Sequence, residues 1–512
     1  MNNPAVIRLS LSVGAAATVL AAATASRADE PRKVSEPYVL NEPAEITQVV
    51  DAFDEGDVFD LHLSLGYQHS WEQSKIRRES HIVQQGLTSG GYTSDNLNIA
   101  EYKRTTNRLN IRGDVGIYRD IALVLRLPII LSDDQKLTGL DGSQNHQSLV
   151  LAGRPGEQLF SLPFESPKRS GFEYLAVGLD FAIFNQYRDP TKPTWIGGFE
   201  GRFNISEPMH ACNANPAPGQ EQCAYPSDIN RNGVSGEYPA SESQYGNLEG
   251  TAFTGGRDAG VSRGTTGFEV HSFMSRRIKY IEPYGGFRAL FEFPTGSSDY
   301  GAVDLEGSLV NHPPLRGTLF FGLSVIPWEI RDQFQRVTVD MRFSGTYVSE
   351  GRDYSELFDA LGSSDAPSMR EPKYASYYAN PDAGTADTVP SVVNPASQKV
   401  YYTGLSDVQQ HATQQVSTQL TWQAGEYVKF NFGGAYTFTQ SHIITYDQAC
   451  NPDFSGSIDE AGPCLAGEGT NTRTATGIPN PNFRAEINTP GRRFKVDDGV
   501  RIDGWINATV MF

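Results

Sequence analysis

The stretch Gly499 to Phe512, GVRIDGWINATVMF, constrains the fold most. Every second residue back from Phe512 is Val510, Ala508, Ile506, Gly504, Ile502 and Val500, with no polar side chain among them. The opposite set is Arg501, Asp503, Trp505, Asn507, Thr509 and Met511. A period of two is that of a β-strand with one apolar face. A half-buried strand of a soluble sheet shows the same period, so the pattern alone does not name the solvent outside the apolar face.

From Val58 onward the same alternation recurs in segments of nine residues or more, the length a tilted strand needs to cross a bilayer. They run Val58 to Trp71, Thr105 to Tyr118, Ile121 to Leu131, Phe172 to Gln186, Trp195 to Ile205 and Thr265 to Arg277, then Ile281 to Phe293, Gly317 to Pro327, Gln335 to Val348, His411 to Gln423 and Tyr427 to Gln440. With the terminal stretch they make about twelve strands. Connections around Arg119-Asp120 and across 187–194, 278–280, 328–334 and 424–426 are short. Those across 72–104, 132–171, 206–264, 294–316, 349–410 and 441–498 are long. Alternating short turns and long loops is the pattern of an up-and-down antiparallel barrel, and an even strand number puts both chain ends on the short-turn side. Six structureless loops of such length are out of place in a compact soluble domain.

A terminal amphipathic strand closing on an aromatic residue resembles the C-terminal signal of Gram-negative outer-membrane β-barrel proteins, with Phe512, Val510, Ala508 and Ile506 at its apolar positions. The resemblance implies an all-β transmembrane barrel with long extracellular loops, in the outer membrane of a Gram-negative bacterium. It also implies lipid and lipopolysaccharide around the wall and a barrel-assembly machinery that reads the last strand. A secreted soluble β-sandwich or jelly roll is the competing architecture.

The start of the chain fits export. Arg8, the apolar run Leu9 to Ala25, and small residues up to Ala28 have the layout of a secretory signal peptide over residues 1–28; a retained membrane helix is the alternative. Residues 29–57, rich in Pro and Glu at first, read as an irregular periplasmic segment with a short amphipathic helix at Ile46 to Phe53. Its acidic residues Asp51, Asp54, Glu55 and Asp57 lack the spacing of a calcium loop and read as a solvated run. Residues 58–512 then form the barrel. A mean hydropathy of −0.40 suits strands of which only alternate residues meet lipid. The net charge of −18 excludes nucleic acid as a partner, because phosphates need basic patches.

Energy orients the faces. In the inverted register Arg112, Arg288, Arg342 and Arg501 would meet hydrocarbon, each at about 2 to 4 kcal/mol near the midplane. The apolar set therefore faces lipid, and the lumen candidates are Asp60, His62, Arg108, Arg112, Asp114, Arg126, Glu200, Arg202, Arg288, Glu292, Asp340, Arg342, Arg501 and Asp503. Both signs are present in similar number, so no ion selectivity follows. A salt-bridge network that stiffens the lumen and a narrow solute path both fit.

Cys212 and Cys223 share one long loop, and Cys450 and Cys464 another, so each pair can close a local disulfide in an oxidising compartment; cross-loop pairing is the alternative. Neither pair has zinc spacing, and no metal or cofactor is expected. Tyr374, Tyr377, Tyr378, Tyr401 and Tyr402 read as aromatics that pack a loop onto the barrel mouth or offer a contact surface. For catalysis, His271 with Ser272 and Ser441 with His442 are adjacent, but neighbouring strand residues face opposite ways. The expectation is a non-enzymatic channel or transporter for small solutes through a narrow, mixed-charge lumen. The alternatives are a surface-anchored barrel whose loops bind a partner and, behind it, a barrel-wall hydrolase.

Overall fold

A computed structural model describes residues 44–53, 60–83, 92–140, 151–228, 230–234, 255–301, 308, 310–375, 398–452 and 477–512. The signal-peptide region and most of the 29–57 segment lie outside these residues, as do Val58, Phe59, Tyr377 and Tyr378.

Twelve antiparallel strands close a barrel. They are β1 (Leu61–Val83), β2 (Tyr92–Tyr118), β3 (Ile121–Gly139), β4 (Leu175–Phe184), β5 (Thr194–Phe203), β6 (Thr265–Ser275), β7 (Ile281–Pro294), β8 (Arg316–Ile330), β9 (Gln335–Val348), β10 (His411–Gln423), β11 (Val428–Thr439) and β12 (Phe494–Met511). Each pairs with its sequence neighbour, and β1 pairs with β12 in a register running from His62 opposite Met511 to Arg78 opposite Phe494. Closure leaves no bare strand edge, the condition for a sheet in lipid.

The outer wall is the alternating apolar set. Leu63, Leu65, Tyr67, Ile111, Leu125, Phe199, Phe268, Phe287, Phe291, Phe432, Ile502 and Ile506 are all exposed, and Leu319 reaches 70%. In water such a contiguous surface would aggregate; in a bilayer it is the belt.

The strands are not equally tall. β1 has 23 residues and β2 has 27, more than twice the crossing length, and their ladder continues to Val83 opposite Tyr92. Most of the expected 72–104 loop is therefore paired strand. Above the membrane the apolar phase inverts: Ile76, Tyr102, Leu137 and Val496 point inward and are buried. They pack against Leu151, Leu159, Phe160, Leu357, Leu361, Met369, Tyr402, Ile444 and Ile487 from the loops, so the long connections fold into one cap with its own hydrophobic core. Arg169 and Asp359, 1% and 5% exposed, tie wall to cap through two contacts of 2.7 and 2.9 Å. The Cys212–Cys223 disulfide is formed in the cap. Cys464, and with it the second pairing, lies outside the described residues.

The expected helix at 46–53 is instead a single 3₁₀ turn, Glu45–Thr47, followed by extended chain. This segment does not hang below the barrel. Ala44 packs on Ile196, Phe273, Tyr284 and Phe320 inside the wall, and Ala52 exchanges backbone hydrogen bonds with Arg119 in the β2–β3 turn at 3.1 and 2.7 Å. Burial of Ala44 and satisfaction of lumen donors by Glu45 replace the helix hydrogen bonds that so short a segment would make.

Candidate functional site: the barrel lumen

Two cavities of about 310 and 240 Å³ lie inside the wall. Both are lined by Glu45, Gln48, Arg112, Arg126, Asp180, Lys429, Asn431 and Asn507, so the N-terminal segment divides one lumen into two chambers. The larger also takes in His62 and Asp114; the smaller takes in His271, Glu282, Arg288, Asp340 and Arg342.

Glu45 is the residue that sequence reading missed. Its carboxylate accepts from Asn431 Nδ2 at 2.7 Å and Gln419 Nε2 at 2.8 Å, with Lys429 Nζ at 3.4 Å. Nothing in the spacing of a Pro- and Glu-rich leader marks one acid for the lumen, because its partners come from strands almost four hundred positions away.

The wall residues sort by partner. Arg112 holds Asp114 in a fork, its Nε 2.9 Å from both carboxylate oxygens. Glu200, 1% exposed, lies between Arg126 and Arg202, and Arg202 also reaches Glu269. Asp503 takes Arg501 Nε at 3.1 Å and Ser70 Oγ at 2.6 Å. Arg108 pairs with Glu173 at 3.0 Å. Asp340 accepts from the Tyr284 and Ser324 hydroxyls, both at 2.8 Å, and stands 3.8 Å from Arg342. Glu292 sits at the rim, where Arg263 and Arg316 bridge it to Asp353 in the cap. Asp60 immediately precedes β1 at the opposite end, its carbonyl accepting from Gly116 N–H.

Small residues make room for this layer. A Cβ on Gly198 would stand 2.3 Å from His271 Nε2 and 2.4 Å from an Asp180 oxygen, so only glycine there lets the 3.0 Å His271–Asp180 contact span the wall. Gly322 likewise lies under the Tyr284 ring.

Neither Ser–His neighbour pair forms a nucleophile. Ser272 points outward, donating to the Ile196 carbonyl and accepting from Trp195, while His271 points inward to Asp180. Ser441 donates to Asp497, and His442 stacks on His411 with ring centroids 3.8 Å apart. Among the described residues no group of three metal-ligating side chains occurs; Asp51, from the acidic run, is buried beside Arg188 at 3.4 Å. Outside the strands, burial pushes the Asp299 carboxyl up, but the hydrogen bond from His210 and the charge of Arg257 outweigh it and hold the group below its usual range.

No protein-family model matches the chain, and no curated protein does. Among solved structures it is similar to an outer-membrane channel from Pseudomonas putida F1, at 6% identity and a TM-score of 0.34, covering 95% of this chain and 100% of that one. It is also similar to a Pseudomonas aeruginosa FadL homologue, at 9% identity and a TM-score of 0.30, covering 92% and 93%. The outer-membrane protease OmpT from Escherichia coli matches at 8% identity and a TM-score of 0.24, covering 91% and 100%.

Proposed function

We propose that the chain is a channel for small solutes in the outer membrane of a Gram-negative bacterium. The observation that carries this reading is the pair of charged, polar chambers within the wall. A barrel that only anchored its loops gains nothing from cavity space lined by ionised groups, and twelve strands lie between the eight whose interior side chains fill and the sixteen to eighteen that leave an aqueous channel. Here cavity space remains on both sides of Glu45. On this reading the belt meets lipid and lipopolysaccharide, and the terminal strand is the part that a barrel-assembly machinery grips.

A second reading, a surface barrel whose loops bind a partner, draws on the cap, which has its own buried core and disulfide. Recording in a planar bilayer separates the two. Discrete current steps from the refolded protein are expected, and a folded, silent barrel overturns the channel. Steady lipid hydrolysis by the same preparation would instead favour an enzyme.

A further inference from the structure

The smaller chamber has a feature that a tally of signs hides. Its carboxylates are already capped: Glu45 by Asn431 and Gln419, Asp180 by His271, Asp340 by Tyr284 and Ser324, Glu282 by Ser275. One guanidinium is not. Arg288, inward on β7 opposite His271 on β6, lies with its charge 5.1 Å above the Phe273 ring and has no carboxylate within ion-pair distance among the described residues. Glu269, an acid that acts on it electrostatically, is engaged by Arg202. Arg342 is held only loosely. Its Nε donates to the Tyr284 hydroxyl at 3.0 Å, its charge rests 5.7 Å from the Phe320 ring, and Asp340 stands 3.8 Å away.

We infer that this chamber is a binding station for small carboxylate anions, with Arg288 receiving the carboxylate and Arg342 closing on it from β9. The inference rests on the channel reading for its transport consequence, but not for binding itself. Arginine stays ionised in a protein, and its planar fork matches a carboxylate in two parallel hydrogen bonds. A guanidinium that faces a wet cavity without a counter-ion takes one from solution. A ring stands beneath each cation, Phe273 under Arg288 and Phe320 under Arg342, and this attraction uses none of the N–H donors. Acids that already accept from hydroxyls, amides and an imidazole offer a cation few open lone pairs, so the same chamber discriminates against cations.

Under a KCl gradient the wild-type protein in a planar bilayer should show a reversal potential on the chloride side, and acetate should reduce the current. R288Q should lower the anion-to-cation permeability ratio by roughly threefold or more, and R288K should recover much of it. A cation-selective wild type, or an unchanged ratio in R288Q, overturns the inference. If no current flows, the channel reading falls and binding is decided separately, by saturation transfer from the detergent-solubilised barrel to acetate. Transfer lost in R288Q and kept in R288K sustains the station; equal transfer in all three removes it. Heat-modifiable migration on gels confirms that each variant is folded.

Discussion

Two ion pairs in one lumen carry different weight, and burial decides which. Glu200 is 1% exposed and holds both Arg126 and Arg202, so removing its carboxylate leaves two guanidinium groups facing each other in a confined space. Breaking a buried pair from one side costs about 3–5 kcal/mol, because the remaining charge stays desolvated. Arg501, by contrast, is 45% exposed, and its partner Asp503, itself 4% exposed, keeps hydrogen bonds from Ser70 at 2.6 Å and Gln68 at 3.3 Å when the guanidinium goes, so the loss stays near the about 0–1 kcal/mol of a solvated pair. E200A should therefore lower the midpoint of urea unfolding in detergent sharply, whereas R501A should barely move it. Similar shifts for the two would mean that the lumen is uniformly wet and that burial does not set the weight of the Glu200 pairs.

At the level of elements, the cap behaves as a unit distinct from the wall that carries it. Glu356 lies in it beside the buried Leu357; burial, and then the charge of Glu72 on β1, push its carboxyl up from the usual 4.5 to about 7. A folded-state value above the unfolded one means that the folded cap holds a proton that the unfolded cap releases between pH 4.5 and 7. Cap stability from this group is thus fullest below about 4.5, falls as pH rises through that window, and is level above 7. Limited proteolysis of the cap should be slower at pH 5 than at pH 8, and E356Q should flatten that difference; an equal slope in E356Q would place the titration elsewhere. The cap is also what the sequence hid. Strand positions such as Phe287 and Phe291 on β7 were legible because lipid forces every second residue to be apolar. Above the bilayer that demand lapses, and Ile76 and Tyr102 serve an inward core whose other half comes from irregularly spaced loop residues such as Leu357 and Ile444. Periodicity cannot reveal a core assembled from four of the long connections. The inward charges were legible as a face, but their pairing was not, since the Arg126–Glu200 contact spans β4 and depends on the register of three neighbouring strands rather than on spacing.

For the molecule as a whole, the lumen is closed from two directions, and the two closures differ in kind. The cap is a folded layer bound to the wall by the Arg169–Asp359 pair and the Glu292–Asp353 network. Residues 44–53 form a single thread of chain, one 3₁₀ turn and then an extended run, held by Ala44 among apolar side chains, by Glu45 on Asn431 and Gln419, and by the backbone exchange at Ala52. Removing that segment strands no buried charge, because Lys429 and Asn431 would then face a water-filled space formed by joining the two chambers. Deleting residues 44–53 should therefore leave the barrel folded, with heat-modifiable migration intact, and raise single-channel conductance roughly threefold or more if the segment is the narrower obstacle. D359A, which unties the cap at a buried pair, acts on the other closure. Conductance that rises with D359A and stays unchanged with the deletion would assign the resistance to the cap, and the segment would then be a strut between the β2–β3 turn and β11 rather than a barrier to solute.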